Sequence, residues 1–295
     1  MNITISNSPI EKKAFQGHEM YIKRDDLLHP SFSGNKARKF WYFFHNEFPN
    51  IKKIVSYGST QSNAMYSLSV LAKMRGWEFD YYTSHLSDYL KENLHGNFKY
   101  ALRNGMNLIE QEEKPQQSSI ENRETLFIQE GGRDFFAEDG LKVLADEIME
   151  WKEQNGIEEF NIFLPSGTGT TALFLAKSFV GMRATRPTVF TVPCVGDSNY
   201  LKKQFYMLEK DEQYHPTILE PSKKRHFGKL YKESYTIWIK LRQEMGIEFD
   251  LLYDPIGWIT LLENPKILDK PTLYIHQGGL IGNESMLPRY ERKYK

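Results

Sequence analysis

The chain has 295 residues, enough for one or two domains and a sizeable core, and its 38 basic residues balance 38 acidic ones. With no net charge, neither nucleic acid nor an anionic membrane is an expected partner. A single cysteine, Cys194, excludes an internal disulfide and a cysteine-rich metal site, and the absence of a secretory leader and of any apolar run of about 18 residues leads us to expect a cytoplasmic protein.

In chain order, the first informative stretch is SFSGNKARKF at 31–40. Ser-Gly-Asn forms a turn, so Lys36 is expected at the mouth of a helix, where a buried reactive amine could be held. The aromatic block FWYFFHNEF at 40–48 reads as core helix, and Asp25 and Asp26 read as a solvated or capping pair with Arg24 as partner. Then strands alternate with helices. IVSYG (54–58) leads into a helix starting near Ser62 or Asn63, and EFDYYTS (78–84) into one helix that runs to Arg103. MNLIEQ (106–111) and TLFIQEGG (125–132) read as strands, the second followed by a long amphipathic helix, AEDGLKVLADEIMEWKEQNG. NIFLPSG (161–167), TVFTVPCVG (188–196), FDLLYDP (249–255) and TLYIHQGG (272–279) complete roughly eight strands, with surface loops at 112–124 and 211–228. This alternation predicts an α/β protein with mostly parallel sheets.

Two turns could bind a ligand. LPSGTGTTALF at 164–174 offers free backbone N–H groups and the positive end of a helix dipole, a cup suited to a phosphate monoester; it lacks the lysine of a Walker loop. SYGSTQSNAMYS at 56–67 is a second turn of this type. Together with Lys36 they suggest one ligand across the carboxyl ends of the strands. The eight histidines are scattered without ligand spacing, so no metal is expected; His276 reads as a strand-end histidine with one backbone partner, and Cys194 as a small core residue. A lysine and a phosphate cup together point to pyridoxal 5'-phosphate, which needs an amine for its aldehyde and an anchor for its phosphate.

The order KRDDL, SGNKARK, GSTQSNA, EGGRDFFAEDG, SGTGTTA, LLYDP, HQGG resembles the fold-type II pyridoxal-phosphate enzymes of the 1-aminocyclopropane-1-carboxylate deaminase and D-cysteine desulfhydrase family, from about Ser8 to Gly279. The resemblance implies two three-layer α/β domains of the tryptophan synthase β type: a large one from residues 1–45 and 156–295, and a small one inserted at 46–155. It implies that Lys36 forms the imine with the cofactor, that Asn35 lies beside it, and that Lys39 helps hold the phosphate. Gln61, Ser62 and Asn63 match the segment that receives the substrate carboxylate, with Asn63 near the ring hydroxyl and Ser62 beside the reacting substrate. Gly167, Thr168, Gly169, Thr170 and Thr171 match the phosphate loop. A small amino-acid substrate and a homodimer are further implications.

Against the family pattern, in which DP is followed by VYEGK or TYTGK, this chain reads DPIGWIT. On that register no tyrosine and no partner for the pyridine nitrogen follow DP, and Trp258 takes the place. A second family tyrosine corresponds to Phe227, and Gln277 stands where threonine commonly follows the histidine. The expected activity is therefore a lyase or deaminase most like D-cysteine desulfhydrase, eliminating a β-thiol to give pyruvate, ammonia and sulfide, with the cyclopropane disfavoured. The alternatives are a cofactor-binding protein that has lost or changed its catalysis and serves in binding or regulation, and a site for some other phosphorylated ligand. The tail LIGNESMLPRYERKYK reads as a solvated terminus.

Overall fold

The computed structural model describes residue 5 and residues 7–182 and 185–294. Its strands are β1 (Ile10–Phe15), β2 (His18–Arg24), β3 (Lys53–Tyr57), β4 (Glu78–Thr83), β5 (Met106–Glu110), β6 (Thr125–Phe127), β7 (Asn161–Ser166), β8 (Thr188–Pro193), β9 (Thr217–Ile218) and β10 (Thr272–His276). They form a six-stranded sheet in the order β1-β2-β10-β7-β8-β9 and a four-stranded sheet in the order β5-β4-β3-β6. Among the described residues only β1 and β2 pair antiparallel; every other strand pairing is parallel. The expected α/β architecture with mostly parallel sheets is the one observed.

Burial explains which runs became strands. β7 is buried at every position, as befits a central strand covered on both faces, whereas β4 alternates buried and accessible residues. The β1–β2 hairpin, absent from the sequence reading, turns on Gln16 and Gly17, both with positive φ (49° and 83°), as a two-residue hairpin loop requires.

Several expected elements differ. The helix expected to reach Arg103 is two, Asp88–Glu92 and Gly96–Arg103. The strand at 125–132 ends at Phe127, because Glu130–Gly132 coils into a 3-10 turn with Gly131 at φ 71°. Residues 249–253 form no strand, and a helix begins at Asp254. The loop at 112–124 contains one helical turn, Gln117–Ile120, and that at 211–228 contributes β9 to the sheet edge. None of the described helices is long and apolar enough to cross a membrane.

Packing also moves the expected domain boundary. The helix Ala137–Gln154 lays Leu141, Leu144 and Ile148 against Ile162 and Leu164 of β7 and Ile275 of β10, within the core of the six-stranded sheet. It therefore packs with the larger body, not with an inserted segment reaching residue 155. Conversely, Phe40 and Phe43, from the aromatic block, join Ile54, Met65 and Leu68 in the core around the four-stranded sheet. The tail is no solvated terminus: the helix Asn283–Tyr294 buries Met286 and Tyr290 in the core of the six-stranded sheet.

Candidate functional site

Between the two sheets, where the carboxyl ends of β3, β7 and β10 face one another, lies a cavity of about 480 Å³. It is lined by Asn35, Lys36, Lys39, Gln61, Ser62 and Asn63, and also by Gly167, Thr168, Gly169 and Thr171. Of the residues that the resemblance assigns to cofactor and substrate, only Thr170 stays outside the lining; it is fully buried, with its hydroxyl 3.2 Å from that of Thr168.

Lys36 sits in the first turn of the helix Gly34–Lys39, and close backbone contact fixes that turn. Gly34 has φ +68°, and a methyl group there would lie 1.9 Å from the carbonyl oxygen of Gln277. Asn35 N–H donates to that oxygen at 3.0 Å, and its side-chain amide donates to Gln277 Oε1 at 3.0 Å. Gln277 in turn donates to the carbonyl of Pro165 at 2.6 Å, so one amide ties the Lys36 turn to the ends of β10 and β7. Burial pushes the Lys36 ammonium down to about 8, against the opposing pull of the Asp250 carboxylate. Lys36 is half-buried as a residue and lines the cavity, its amine donating to Asn35 Oδ1 at 3.4 Å.

Across the cavity, β7 ends in Ser166-Gly167-Thr168-Gly169 and the helix Thr170–Phe179 begins. Gly169 has φ +72°, and a side chain there would strike Phe205 at 2.4 Å. The Thr171 hydroxyl at this helix start is buried and has no hydrogen-bond partner, an orphan facing a ligand site. Lys39 reaches the carbonyl of Gly131 at 3.1 Å, and its ammonium is held well below its usual range by burial and by the charges of Lys36 and Arg133. Arg133 lines the cavity too and donates to Gln204. An orphaned hydroxyl, a helix N-terminus and crowded cations suit a dianionic phosphate.

The turn at 58–62 behaves as expected: Ser62 caps the helix Asn63–Arg75, accepting from the N–H groups of Ala64 at 3.2 Å and Met65 at 3.4 Å. Asn97 donates to Asn63 Oδ1 at 2.6 Å, which fixes the Asn63 amide and directs its NH2 toward Gly279.

The expectation about the segment after DP is overturned. Trp258 does not line the cavity; it is fully buried, stacked on Tyr274 at 4.4 Å between ring centroids and edge-on to Phe15. The cavity instead receives Asp250, Tyr253 and Asp254. The spacing Asp250-x-x-Tyr253-Asp254 repeats that of D-P-V-Y-E four residues before the register set by the Asp-Pro pair. The Pro255 that suggested the other register serves as the first-turn proline of a helix. Asp250 accepts from the N–H groups of Leu252, Tyr253 and Asp254, and Asp254 accepts from Asp250 N–H at 3.0 Å and from the Tyr274 hydroxyl at 2.6 Å. Burial pushes Asp250 up to about 6, while the N–H donors and Lys36 pull it down. Burial and the neighbouring Asp250 push Asp254 well above the carboxylate range. Burial likewise keeps the Tyr253 phenol protonated. Phe227 does line the cavity, its ring 5.1 Å from that of Tyr253.

Behind the Lys36 helix lies a buried ion network. Arg38 spans Asp25, at 3.0 and 2.8 Å, and Glu147, at 2.7 Å through each of two nitrogens. Lys23 joins Glu147 at 2.6 Å, and the Ser8 hydroxyl donates to Asp25 at 2.6 Å. Asp25 is thus no solvated acid: burial raises its pKa, but the charge and hydrogen bonds of Arg38, the Lys23 charge and the Ser8 hydroxyl together outweigh that, and the net shift is downward. The Asp26 side chain is also shielded from solvent and pairs with Arg24, at 2.9 and 2.7 Å. His276 sits at the end of β10 with Nε2 2.7 Å from the carbonyl of Glu248, as expected of a strand-end histidine, and its Nδ1 also accepts from Gly278 N–H at 3.1 Å.

Comparison with known proteins follows the same lines. No protein-family model matches the chain. A curated D-cysteine desulfhydrase from Serratia proteamaculans is 24% identical over 309 residues, covering 95% of this chain and 93% of its own. A putative 1-aminocyclopropane-1-carboxylate deaminase from Pyrococcus horikoshii is 25% identical over 289 residues, covering 90% and 86%. Among solved structures, an ACC deaminase homologue superposes with a TM-score of 0.79 at 20% identity, covering 99% of this chain and 95% of that one. A threonine deaminase from T.th. gives 0.67 at 14% identity, covering 92% of each. The chain is similar to these proteins over nearly its whole length, and its fold is that of the fold-type II pyridoxal-phosphate enzymes.

Proposed function

We propose that the chain binds pyridoxal 5'-phosphate through Lys36 and acts as a lyase or deaminase on a small amino acid, most like D-cysteine desulfhydrase. The observation that carries this reading is the single cavity lined by the Lys36 amine, the orphaned Thr171 hydroxyl and the cations Lys39 and Arg133. The cofactor, when bound, supplies an aldehyde for amine capture and a ring that accepts charge from the substrate α-carbon. The 167–171 turn, Lys39 and Arg133 would hold its phosphate, Asn63 its ring hydroxyl and Asp254 its pyridine nitrogen. Lys36, with its pKa near 8, can give up and take back a proton near neutral pH. Gln61, Ser62 and Asn63 would receive the substrate carboxylate. The hydroxyl of Ser62 would lie beside the reacting carbon, and Tyr253 would cover it with a proton available to donate.

The sequence disfavours the cyclopropane through a missing tyrosine and a missing ring-nitrogen partner, roles that Tyr253 and Asp254, which line the cavity, would fill. The reading of a protein without catalysis loses its motive for the same reason. What remains is Phe227, which offers a ring without a hydroxyl and so leaves one proton donor fewer; this keeps β-elimination ahead of ring opening. We further propose a homodimer, on the resemblance alone.

The test is to add pyridoxal phosphate to purified protein and follow visible absorbance, then supply D- and L-amino acids bearing β-leaving groups, and the cyclopropane, while measuring keto acid and sulfide. We expect a band that Lys36→Ala abolishes, and pyruvate from a β-substituted amino acid. A protein that takes up no cofactor would refute the proposal.

A further inference from the structure

The C-terminal helix brings to the cavity two groups that the proposed chemistry does not use. Ser285 and Arg289 stand four residues apart on Asn283–Tyr294, hence on one face, and both line the cavity. Their helix is held from two sides. Glu284 accepts from Gly96 N–H at 3.1 Å and from the Tyr100 hydroxyl at 2.8 Å, with the Lys99 ammonium at 3.7 Å. On the other side Arg289 donates to the carbonyl of Gly228 at 3.2 Å and to Met286 Sδ at 3.1 Å.

Within this fixed wall some polar groups lack partners. Ser285 Oγ is shut off from solvent and makes no hydrogen bond, and the same holds for Gln61 Oε1. The two atoms are neighbours, since a methyl on Gly96 would lie 2.3 Å from the first and 2.8 Å from the second. Gln61 cannot turn to relieve its oxygen, because its NH2 group donates to the carbonyl of His95 at 3.2 Å. Arg289 uses one N–H on each of two nitrogens, to acceptors that carry no charge, which leaves three of a guanidinium's five donors free. Arg289 is exposed, whereas Lys39 is buried, so a path from the amines to Arg289 leads outward.

We propose that Ser285 and Arg289 form a subsite for the far end of the substrate's side chain, and that this end is an anionic oxygen group such as a carboxylate, sulfonate or phosphate ester. The assignment rests on the reading of Lys36 and its cofactor given above. A substrate as short as cysteine would leave the Ser285 hydroxyl buried without a partner and the guanidinium without a counter-charge. A side chain ending in an anion meets the guanidinium directly, and the Ser285 hydroxyl once it turns about its Cα–Cβ bond from Gly96 into the cavity, through bonds of the charge-assisted kind.

Protein loaded with pyridoxal phosphate is titrated with aspartate and glutamate, each enantiomer separately, and with asparagine and glutamine, following visible absorbance. The acid should bind at least about tenfold more tightly than the matching amide, the ratio that one charge-assisted hydrogen bond supplies. Arg289→Gln should bring the acid-to-amide ratio close to one, Arg289→Lys should restore part of it, and Ser285→Ala should lower it. Equal affinity for acid and amide, or a preference that survives Arg289→Gln, would overturn the subsite while leaving the cofactor reading intact. A protein without a visible band overturns both.

Discussion

Replacing Gly34 by alanine tests how the reactive amine is positioned. The added methyl would lie 1.9 Å from the Gln277 carbonyl oxygen and 2.6 Å from its carbon, both backbone atoms. An ordinary C···O contact is about 3.3 Å, so the two segments must part by roughly 1.4 Å. That separation removes the two hydrogen bonds from Asn35 to Gln277, both 3.0 Å long, at about 1 kcal/mol each. Alanine at φ +68° adds about 1 kcal/mol of left-handed strain, for a total of roughly 3 kcal/mol. Gly76 is the control, with φ +71° and nothing within 4 Å of an added methyl, so Gly76→Ala should cost only about 1 kcal/mol. Urea unfolding of the cofactor-free proteins measures both, and cofactor uptake reports whether Lys36 still faces the cavity. If Gly34→Ala unfolds with the Gly76→Ala protein and takes up cofactor normally, the Gln277 contact does not position the lysine.

Three further outcomes are expected. Arg38→Ala strands Asp25 and Glu147 as buried carboxylates and should cost about 3–5 kcal/mol in the same unfolding assay, with cofactor uptake impaired because the Lys36 helix loses its anchor. Cofactor uptake should accelerate as pH rises through about 8, because burial lowers the Lys36 pKa and the neutral amine is the reactive form; a rate that climbs only near pH 10 contradicts that placement. Thr171→Val removes a hydroxyl that is orphaned without ligand, so the cofactor-free protein should melt no lower than wild type, while titration should show cofactor binding weakened by roughly fivefold to tenfold.

The sequence carried the parallel α/β pattern and the three ligand turns because glycine, small hydroxyl residues and β-branched runs act locally. The buried run of β7 and the Ser62 cap are examples. It hid what depends on distant partners. Asp25 reads as a surface acid until Arg38 and Glu147 arrive from elsewhere in the chain. Residues 249–253 are apolar enough for a strand, but Asp250 gathers three backbone N–H groups and bends them into a helix entry. The Asp-Pro pair drew the register four residues too far, to Trp258, which lies outside the cavity, whereas Tyr253 and Asp254 line its wall. Ser285 and Arg289 lie beyond the last matching motif, in a tail whose helix faces inward, so no local signal marked them.

The Arg38 network also imposes an order in time. Its bonds to Glu147 join residues 109 apart for Arg38 and 124 apart for Lys23, so each closes a long loop of chain. The helix carrying Lys36 therefore cannot gain this anchor before residue 147 has been synthesised. On the ribosome, a nascent chain carries the Lys36 helix without this anchor until residue 147 has emerged.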